Sequence, residues 1–208
     1  KQLYNEDELL KDKRILVVDD DMRNSFALSK LLSDKGITVK IAKDGQKALD
    51  MLVPEAISFA RGVLDPLQEI GEQWGVKLEN GKVSNPPEFR KAFKQYGQDG
   101  WTAAARDEEY GGQGFPNMMR IIINDMMYGA CQAFNMAPSL SHGAAHLIES
   151  FGTTEQKERF IPNMFDGTWA GTMCLTEPDA GSNLAALRAT AYPEGDHYKI
   201  KGSKIFIS

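Results

Sequence analysis

The sequence has only two cysteines, Cys131 and Cys174, among 208 residues. Two cysteines so far apart do not make the disulfide framework of a secreted scaffold, and they indicate a reducing compartment. No apolar run approaches the roughly 20 residues that cross a bilayer, and no signal-peptide pattern opens the chain. The formal net charge of −5 argues against a nucleic-acid-binding surface. We therefore expect a cytoplasmic protein with no membrane or nucleic-acid partner.

The composition that remains is typical of a soluble globular protein, with 42% hydrophobic and 25% charged residues. The length allows one large domain or two small ones. The residue patterns predict three parts, and the expected fold class is therefore mixed. These parts are a β-α-β-α segment at 1–53, an all-α helical domain at 54–167, and short strands at 168–208. The resemblances given below imply that the first segment is truncated and that the last strands begin an incomplete β domain.

The first segment contains a strand that ends in carboxylates. After Arg14, residues 15–18 form a continuous apolar run, typical of a strand buried on both faces of a parallel sheet, and Asp19 and Asp20 follow it. A helix stopped by Gly36, a second strand and the start of a second helix come next. Carboxylates at the C-terminal end of a parallel strand could hold Mg²⁺. A solvated acidic loop is the alternative interpretation.

This segment resembles the first half of the receiver domain of two-component response regulators. The run Val-Val-Asp-Asp at 17–20 matches the receiver's metal-binding acidic pair, and residues 42–49 match its second βα junction. The resemblance implies a metal site at Asp19 and Asp20. It stops near Leu52, because no later apolar strand ends in a phospho-accepting Asp, and we expect no phosphotransfer.

The middle part shows helical periodicity with no further strand signal. Pro54 suits the first turn of a new helix, and Pro66 should kink or split that helix. Asn80 and Gly81 mark a tight turn. A stripe of methionines between residues 118 and 127 indicates adaptable core packing.

Two stretches near the C-terminus carry the strongest functional signal. Residues 173–175 predict a short strand that breaks at 176–178 into a loop of small side chains at 180–182. Residues 205–207 alternate like a returning strand. Small side chains let a ligand approach the backbone closely. The pattern suits a shelf for a flat, partly anionic ligand, and it also suits an ordinary hairpin.

The run Leu-Thr-Glu-Pro-Asp-Ala-Gly-Ser at 175–182, followed by Lys-Gly-Ser-Lys-Ile-Phe-Ile-Ser at 201–208, resembles the flavin-binding signature of acyl-CoA dehydrogenases. The Glu-Tyr-Gly-Gly-Gln-Gly loop at 109–114 is also similar to that family, and the landmarks keep the family's order from about residue 55. Residues 77–83 and 135–142 are most similar to the large subgroup typified by 3-methylmercaptopropionyl-CoA dehydrogenase.

The resemblance implies an FAD-dependent enzyme that desaturates an acyl-CoA thioester between Cα and Cβ and passes hydride to FAD. It also implies an electron acceptor such as an electron-transfer flavoprotein, and a homo-oligomer. Ser182 would in addition lie near the CoA moiety of the substrate. The positions that match the family's flavin contacts are Leu175, Thr176, Gly181, Ser182, Phe206 and Ser208.

In the resembled family the catalytic Glu lies in a C-terminal helical bundle beyond the region matched here. We therefore predict no catalytic residue among these 208 residues, and we expect the chain alone to be inactive. Glu177 belongs to the loop in that family and does not abstract the proton. Two other hypotheses remain open: a response-regulator signalling module and a non-catalytic helical interaction fragment.

Overall fold

The computed structural model describes residues 13–207. The chain divides into two compact units, with the boundary between Ala60 and Arg61. The described part is mostly helical and has few strands, as the resemblance to a family with an N-terminal helical domain implied. Among the described residues, none of the helices is both long enough and apolar enough to cross a membrane.

The first unit contains two parallel strands, each followed by a helix. Ile15 lies opposite Val39 and Val17 lies opposite Ile41. Asp21 caps the first helix, and Asp44 caps the second through a bond from the Lys47 N–H. The β-α-β-α order expected from the sequence is present. Its elements are β1 (Arg14–Val18), α1 (Met22–Ser33), β2 (Thr38–Ala42) and α2 (Gly45–Phe59).

Helix α2 continues through Pro54, so the expectation that this proline opens a new helix is wrong. The buried residues of α2 are Ala48, Ala56 and Phe59, which continue one face past the proline. The free energy gained by burying that face exceeds the free energy lost with the backbone hydrogen bond that a proline inside a helix removes. Glu55, the next residue, accepts bonds from Arg14 of β1 at 3.1 Å and Lys40 of β2 at 2.8 Å. The domain boundary at 53/54 remains a prediction.

Pro66 behaves as the sequence predicted. A π-helical turn, Ala60–Leu64, precedes α3 (Asp65–Trp74), and Pro66 lies in the first turn of α3. The proline has no N–H to continue the preceding ladder, so the helical path is interrupted there.

The turn at Asn80 and Gly81 joins two short antiparallel strands that the sequence analysis missed. These are β3 (Lys77–Glu79) and β4 (Lys82–Ser84). Asn80 has φ 51° and Gly81 has φ 73°, the left-handed conformation that two-residue hairpin turns require. All six strand residues are exposed. Without a buried face there is no alternation of apolar residues to find, so only the turn could be predicted.

The second unit has a helical core. In α6 (Gln132–Phe151), Phe134 packs edge-on against Tyr96 of α4 (Pro87–Gln98), with ring centroids 5.9 Å apart. Thr153 and Gln156 form a reciprocal capping box that starts α7 (Thr154–Phe165). A buried cluster comprises Ala103, Ala145, Ile161, Met164 and Phe165. The helices are α4 (Pro87–Gln98), α5 (Asn117–Ala130), α6 (Gln132–Phe151) and α7 (Thr154–Phe165).

The methionine stripe of α5 is partly in the core. Met119 and Met127 are buried together with Ile123, whereas Met118 is 65% exposed. The interpretation as core packing is therefore correct for Met119 and Met127 and wrong for Met118.

The C-terminal strands differ from those predicted. Residues 173–175 and 205–207 form no ladder, and a hairpin made by β5 (Thr190–Glu194) and β6 (His197–Lys201) lies between them in sequence. Gly195 has φ 65° and makes the turn. Every residue of β5 and β6 is exposed. The apolar residues that suggested strands instead belong to irregular segments held by side-chain bonds, as described below.

Gly97 lies where α4 approaches the end of α7 closely enough to exclude a side chain. A Cβ at Gly97 would overlap backbone atoms of Asp166 and Gly167, which cannot move aside as a flexible side chain could. We expect Gly97→Ala to lower the free energy of unfolding by about 3 kcal/mol in urea denaturation.

Gly143→Ala is the matched control. Gly143 lies inside α6 with nothing within 4 Å of the added Cβ, so this variant should gain about 0.5–1 kcal/mol from helix propensity. If Gly97→Ala is as stable as Gly143→Ala, α4 and α7 do not approach as closely as described.

Candidate functional site

The chain that follows α7 is fixed against helix α6. The Gly171 N–H donates to Ser141 Oγ at 3.0 Å, and the Ser141 hydroxyl donates to the Ala137 carbonyl at 2.9 Å. A Cβ at Gly171 would lie 2.5 Å from Met164 Cε and 2.6 Å from Ala144 Cβ. Only glycine permits this close approach. The segment that leads to residue 173 therefore starts from a defined position on the helical core.

The side chain of Glu177 organises the segments beyond this point. Glu177 is buried, with 5% of its surface exposed. One carboxylate oxygen, Oε2, accepts from the Arg188 N–H at 2.7 Å, and Oε1 accepts from the Ala189 N–H and from Lys204 Nζ, each at 2.9 Å. The carboxylate thus joins three parts of the chain that are far apart in sequence. We call residues 173–183 and 203–207, which this carboxylate holds together, the loop edge.

The backbone completes the same connection. Lys204 Nζ also donates to the Leu175 carbonyl at 3.0 Å, and the Ile205 N–H donates to the Thr176 carbonyl at 3.0 Å. Glu177 and Ala180 exchange a pair of backbone bonds at 3.0 and 3.1 Å, which closes a tight turn. The loop edge therefore has a defined backbone without a regular strand ladder.

These bonds also determine the protonation of Glu177. The hydrogen bond from Lys204, followed by the backbone bonds from Arg188 and Ala189, lowers the pKa of the Glu177 carboxyl from 4.5 to about 2. A carboxylate so strongly stabilised as an anion is a poor proton acceptor at neutral pH. Its role here is structural, as the sequence resemblance implied.

The loop edge brings several of the predicted flavin contacts together. Leu175 is 38% exposed, Thr176 is half-buried and Phe206 is exposed, and the bonds of Lys204 and Ile205 place the two segments side by side. Gly181 and Ser182 follow the tight turn and are exposed. A Cβ at Gly181 would meet nothing within 4 Å. Ser208 lies outside the described residues.

Phe206 has an unusual backbone conformation. Its φ is 56° and its side chain is 87% exposed. A non-glycine residue in the left-handed region costs about 1–2 kcal/mol, and an exposed ring gains no burial to offset it. Strain of this kind is common where a side chain is positioned for a ligand.

Sequence reasoning missed the part played by Lys204 and by the amides of Arg188 and Ala189. None of them belongs to a periodic pattern. The available signal was an acid in the first motif segment, Glu177, and a lysine in the second, Lys204.

The two carboxylates of the first unit lie where the sequence placed them, directly after β1. The Asp21 N–H donates to Asp19 Oδ1 at 2.8 Å, and Asp21 itself caps α1. Within residues 13–207, no group of three or more His, Cys, Asp or Glu side chains could hold a metal ion. The structure thus gives no support to Mg²⁺ at Asp19 and Asp20.

Comparison with known proteins identifies the family to which the chain belongs. The model of the family described as "Acyl-CoA dehydrogenase, N-terminal domain" matches residues 47–168, which is more than half of the chain. The chain belongs to the acyl-CoA dehydrogenase family.

Individual relatives agree with this assignment. The 3-methylmercaptopropionyl-CoA dehydrogenase of Ruegeria pomeroyi is 36% identical over 151 residues, covering 72% of this chain and 26% of that protein. A solved glutaryl-CoA dehydrogenase in complex with glutaryl-CoA has a TM-score of 0.67 at 28% identity, covering 77% of this chain and 39% of that one. A chain solved in work on the electron transferring flavoprotein of Acidaminococcus fermentans has a TM-score of 0.65 at 30% identity, covering 76% and 39%.

The chain therefore spans between 26% and 39% of the length of these relatives.

The family implies FAD, and the residues of the loop edge fit that group. Met173, Leu175, Phe206 and Ile207 are all at least 38% exposed, which leaves apolar surface for a flat ring. The open space at Gly181 would allow a phosphate-bearing arm to approach the backbone. An isoalloxazine ring with a pyrophosphate arm has both features.

Glu177→Gln tests the structural role of the carboxylate. The substitution removes the charge that attracts Lys204 and two backbone N–H groups. We expect the melting temperature at pH 7 to fall on the order of 5 °C, measured by thermal unfolding. Glu158→Gln, which changes the net charge equally at an exposed position of α7, should melt like the unmodified chain.

The contribution of Glu177 to stability depends on pH, because folding lowers the pKa of its carboxyl. Because folding lowers the pKa of Glu177 from 4.5 to about 2, its stabilising effect is complete above pH 4.5 and disappears as the pH falls towards 2. The melting-temperature difference between the unmodified chain and Glu177→Gln should shrink over that interval. A difference that is constant from pH 7 to pH 2 would contradict the assigned ionisation.

Proposed function

We propose that the chain is the FAD-contacting N-terminal part of an acyl-CoA dehydrogenase that desaturates an acyl-CoA thioester between Cα and Cβ. The observation that carries the proposal is the loop edge, where one buried carboxylate fixes two segments and leaves apolar side chains and an open glycine exposed. Exposed apolar side chains on a backbone that hydrogen bonds hold in place are typical of a ligand-binding site.

Each residue of the edge has a proposed part. Leu175 and Phe206 would contact the faces or rim of the flavin ring, and Thr176 would bond its pyrimidine edge. Gly181 and Ser182 would lie at the pyrophosphate. FAD, when bound, supplies the hydride acceptor of the reaction. The hydroxyl of Ser208 as a partner of flavin N5 remains a prediction from the sequence.

The proposed substrate is an acyl-CoA thioester, with Ser182 near the CoA moiety. The glutaryl-CoA dehydrogenase complex with glutaryl-CoA supports this class of substrate. The proposed electron acceptor is an electron-transfer flavoprotein, and the proposed assembly is a homo-oligomer in the cytoplasm. The identity of 36% to 3-methylmercaptopropionyl-CoA dehydrogenase supports the subgroup that residues 77–83 and 135–142 suggested.

The receiver-like character of the first unit is a separate proposal. It is supported by the parallel pairing of β1 with β2 and by the position of Asp19 and Asp20 directly after β1. Neither a signalling function nor a purely non-catalytic interaction role is favoured, because the match to the acyl-CoA dehydrogenase family covers residues 47–168.

Binding of FAD to the purified chain tests the proposal without any need for turnover. The titration follows the quenching of flavin fluorescence as chain is added. Gly181→Val is the informative variant, because an added Cβ at Gly181 has nothing within 4 Å and the valine side chain would occupy the space proposed for the pyrophosphate. We expect it to weaken FAD binding at least about tenfold, or 1.4 kcal/mol, with an unchanged melting temperature.

The matched control is Gly129→Val, which also fills open space, on α5, and should bind FAD like the unmodified chain. Equal FAD affinity in Gly181→Val and Gly129→Val would contradict the assignment of the pyrophosphate to this turn. Absence of any saturable quenching by the unmodified chain would contradict the flavin-binding edge itself.

A further inference from the structure

A small, partly open cavity lies between helices of the second unit. Its volume is about 40 Å³, enough for a few water-sized molecules. Residues from α4, α5 and α6 line it, together with residues 101–102. The lining is unusually polar for a helical core, and its polar members include Tyr96, Arg120, Asn124, Ser139 and His142.

Two of the polar lining residues, Arg120 and Asn124, come from one face of α5. Arg120, Asn124 and Tyr128 recur every four residues, so they share that face. Tyr128 donates its hydroxyl proton to Ser139 Oγ on α6 at 2.6 Å. Ser139 lines the cavity, and its own hydroxyl proton remains available to donate.

Arg120 is the only lining residue that carries a permanent charge, and no carboxylate is among the lining residues. Among the residues that the structure describes, Arg120 forms no ion pair, and its Nε is buried without a hydrogen-bond partner. A buried guanidinium donor that lacks an acceptor is costly. Such a group usually has a water molecule or an ion as its partner.

The neighbouring histidine does not supply a negative charge or a second positive one. His142 Nδ1 lies 3.0 Å from the Thr102 carbonyl oxygen. Because a carbonyl only accepts, Nδ1 must carry the proton of this bond. Burial lowers the pKa of His142 below its usual 6.5, so the ring is neutral at pH 7. The guanidinium therefore leaves the cavity with a net positive charge.

We propose that this cavity binds one small monovalent anion, of the size of a halide or formate, paired with the Arg120 guanidinium. The anion supplies the acceptor that Arg120 lacks and neutralises the charge inside the core. The ligand class follows from the small volume of about 40 Å³, which suits a small anion, and from the absence of a carboxylate among the lining residues. The proposal does not depend on flavin binding.

Thermal unfolding of the whole chain in a chloride titration tests it. Ionic strength is kept constant with sodium gluconate, whose anion is too large for the cavity. A ligand that binds only the folded state raises the melting temperature saturably, by about 3–6 °C at ten times its Kd. We expect this rise in the unmodified chain and its loss in Arg120→Gln.

Arg90→Gln is the matched control. It removes the same charge from an exposed position of α4 and should keep the saturable rise. An equal response of all three chains, or no saturable response of the unmodified chain, would overturn the proposal and leave water as the occupant.

Bromide supplies a second measurement that stands even if Arg120→Gln fails to fold. In crystals of the unmodified chain soaked in sodium bromide, we expect an anomalous peak in the cavity beside the Arg120 guanidinium. A cavity without that peak, in crystals that bind bromide elsewhere, would overturn the proposal.

Discussion

The carboxylate of Glu177 is the interaction on which the candidate site depends. It lies in an irregular segment before β5, where the backbone has few other constraints. Its oxygens bind two backbone N–H groups and the Lys204 ammonium. A buried charge without such partners would be strongly unfavourable. Since all three partners are present, the same burial forces residues 175–177, 188–189 and 204 into one arrangement.

Close backbone approach connects this arrangement to the helical core. Gly97 brings α4 against the turn at the end of α7, and Gly171 brings the following segment against α6. A side chain at either position would separate these elements. The loop edge is therefore positioned by helices that contribute no predicted flavin contact. Because the helical core positions the loop edge, its exposed residues keep a defined backbone although their side chains make few contacts.

Some of these features could be predicted from the sequence and others could not. The helices of the second unit, the Asn80-Gly81 turn and the interruption at Pro66 follow from local residue chemistry. The position of the loop edge followed from its motif. The missed features depend on contacts between distant residues: the helix that continues through Pro54 because its face stays buried, the irregular backbone at 173–175 that side chains hold in place, and the polar face of α5. No local pattern distinguishes the buried Met119 from the exposed Met118.

The central claim is that one fixed edge, formed by residues 173–183 and 203–207, receives the flavin. Hydrogen–deuterium exchange of the whole chain with and without FAD tests it most directly. The account predicts that the amides of Arg188, Ala189 and Ile205, which are already hydrogen-bonded, exchange slowly in the free chain. It also predicts that FAD adds protection at residues 175–182 and 204–207 and leaves α4 unchanged. Fast exchange of those three amides in the free chain, or FAD-dependent protection confined to other segments, would contradict it.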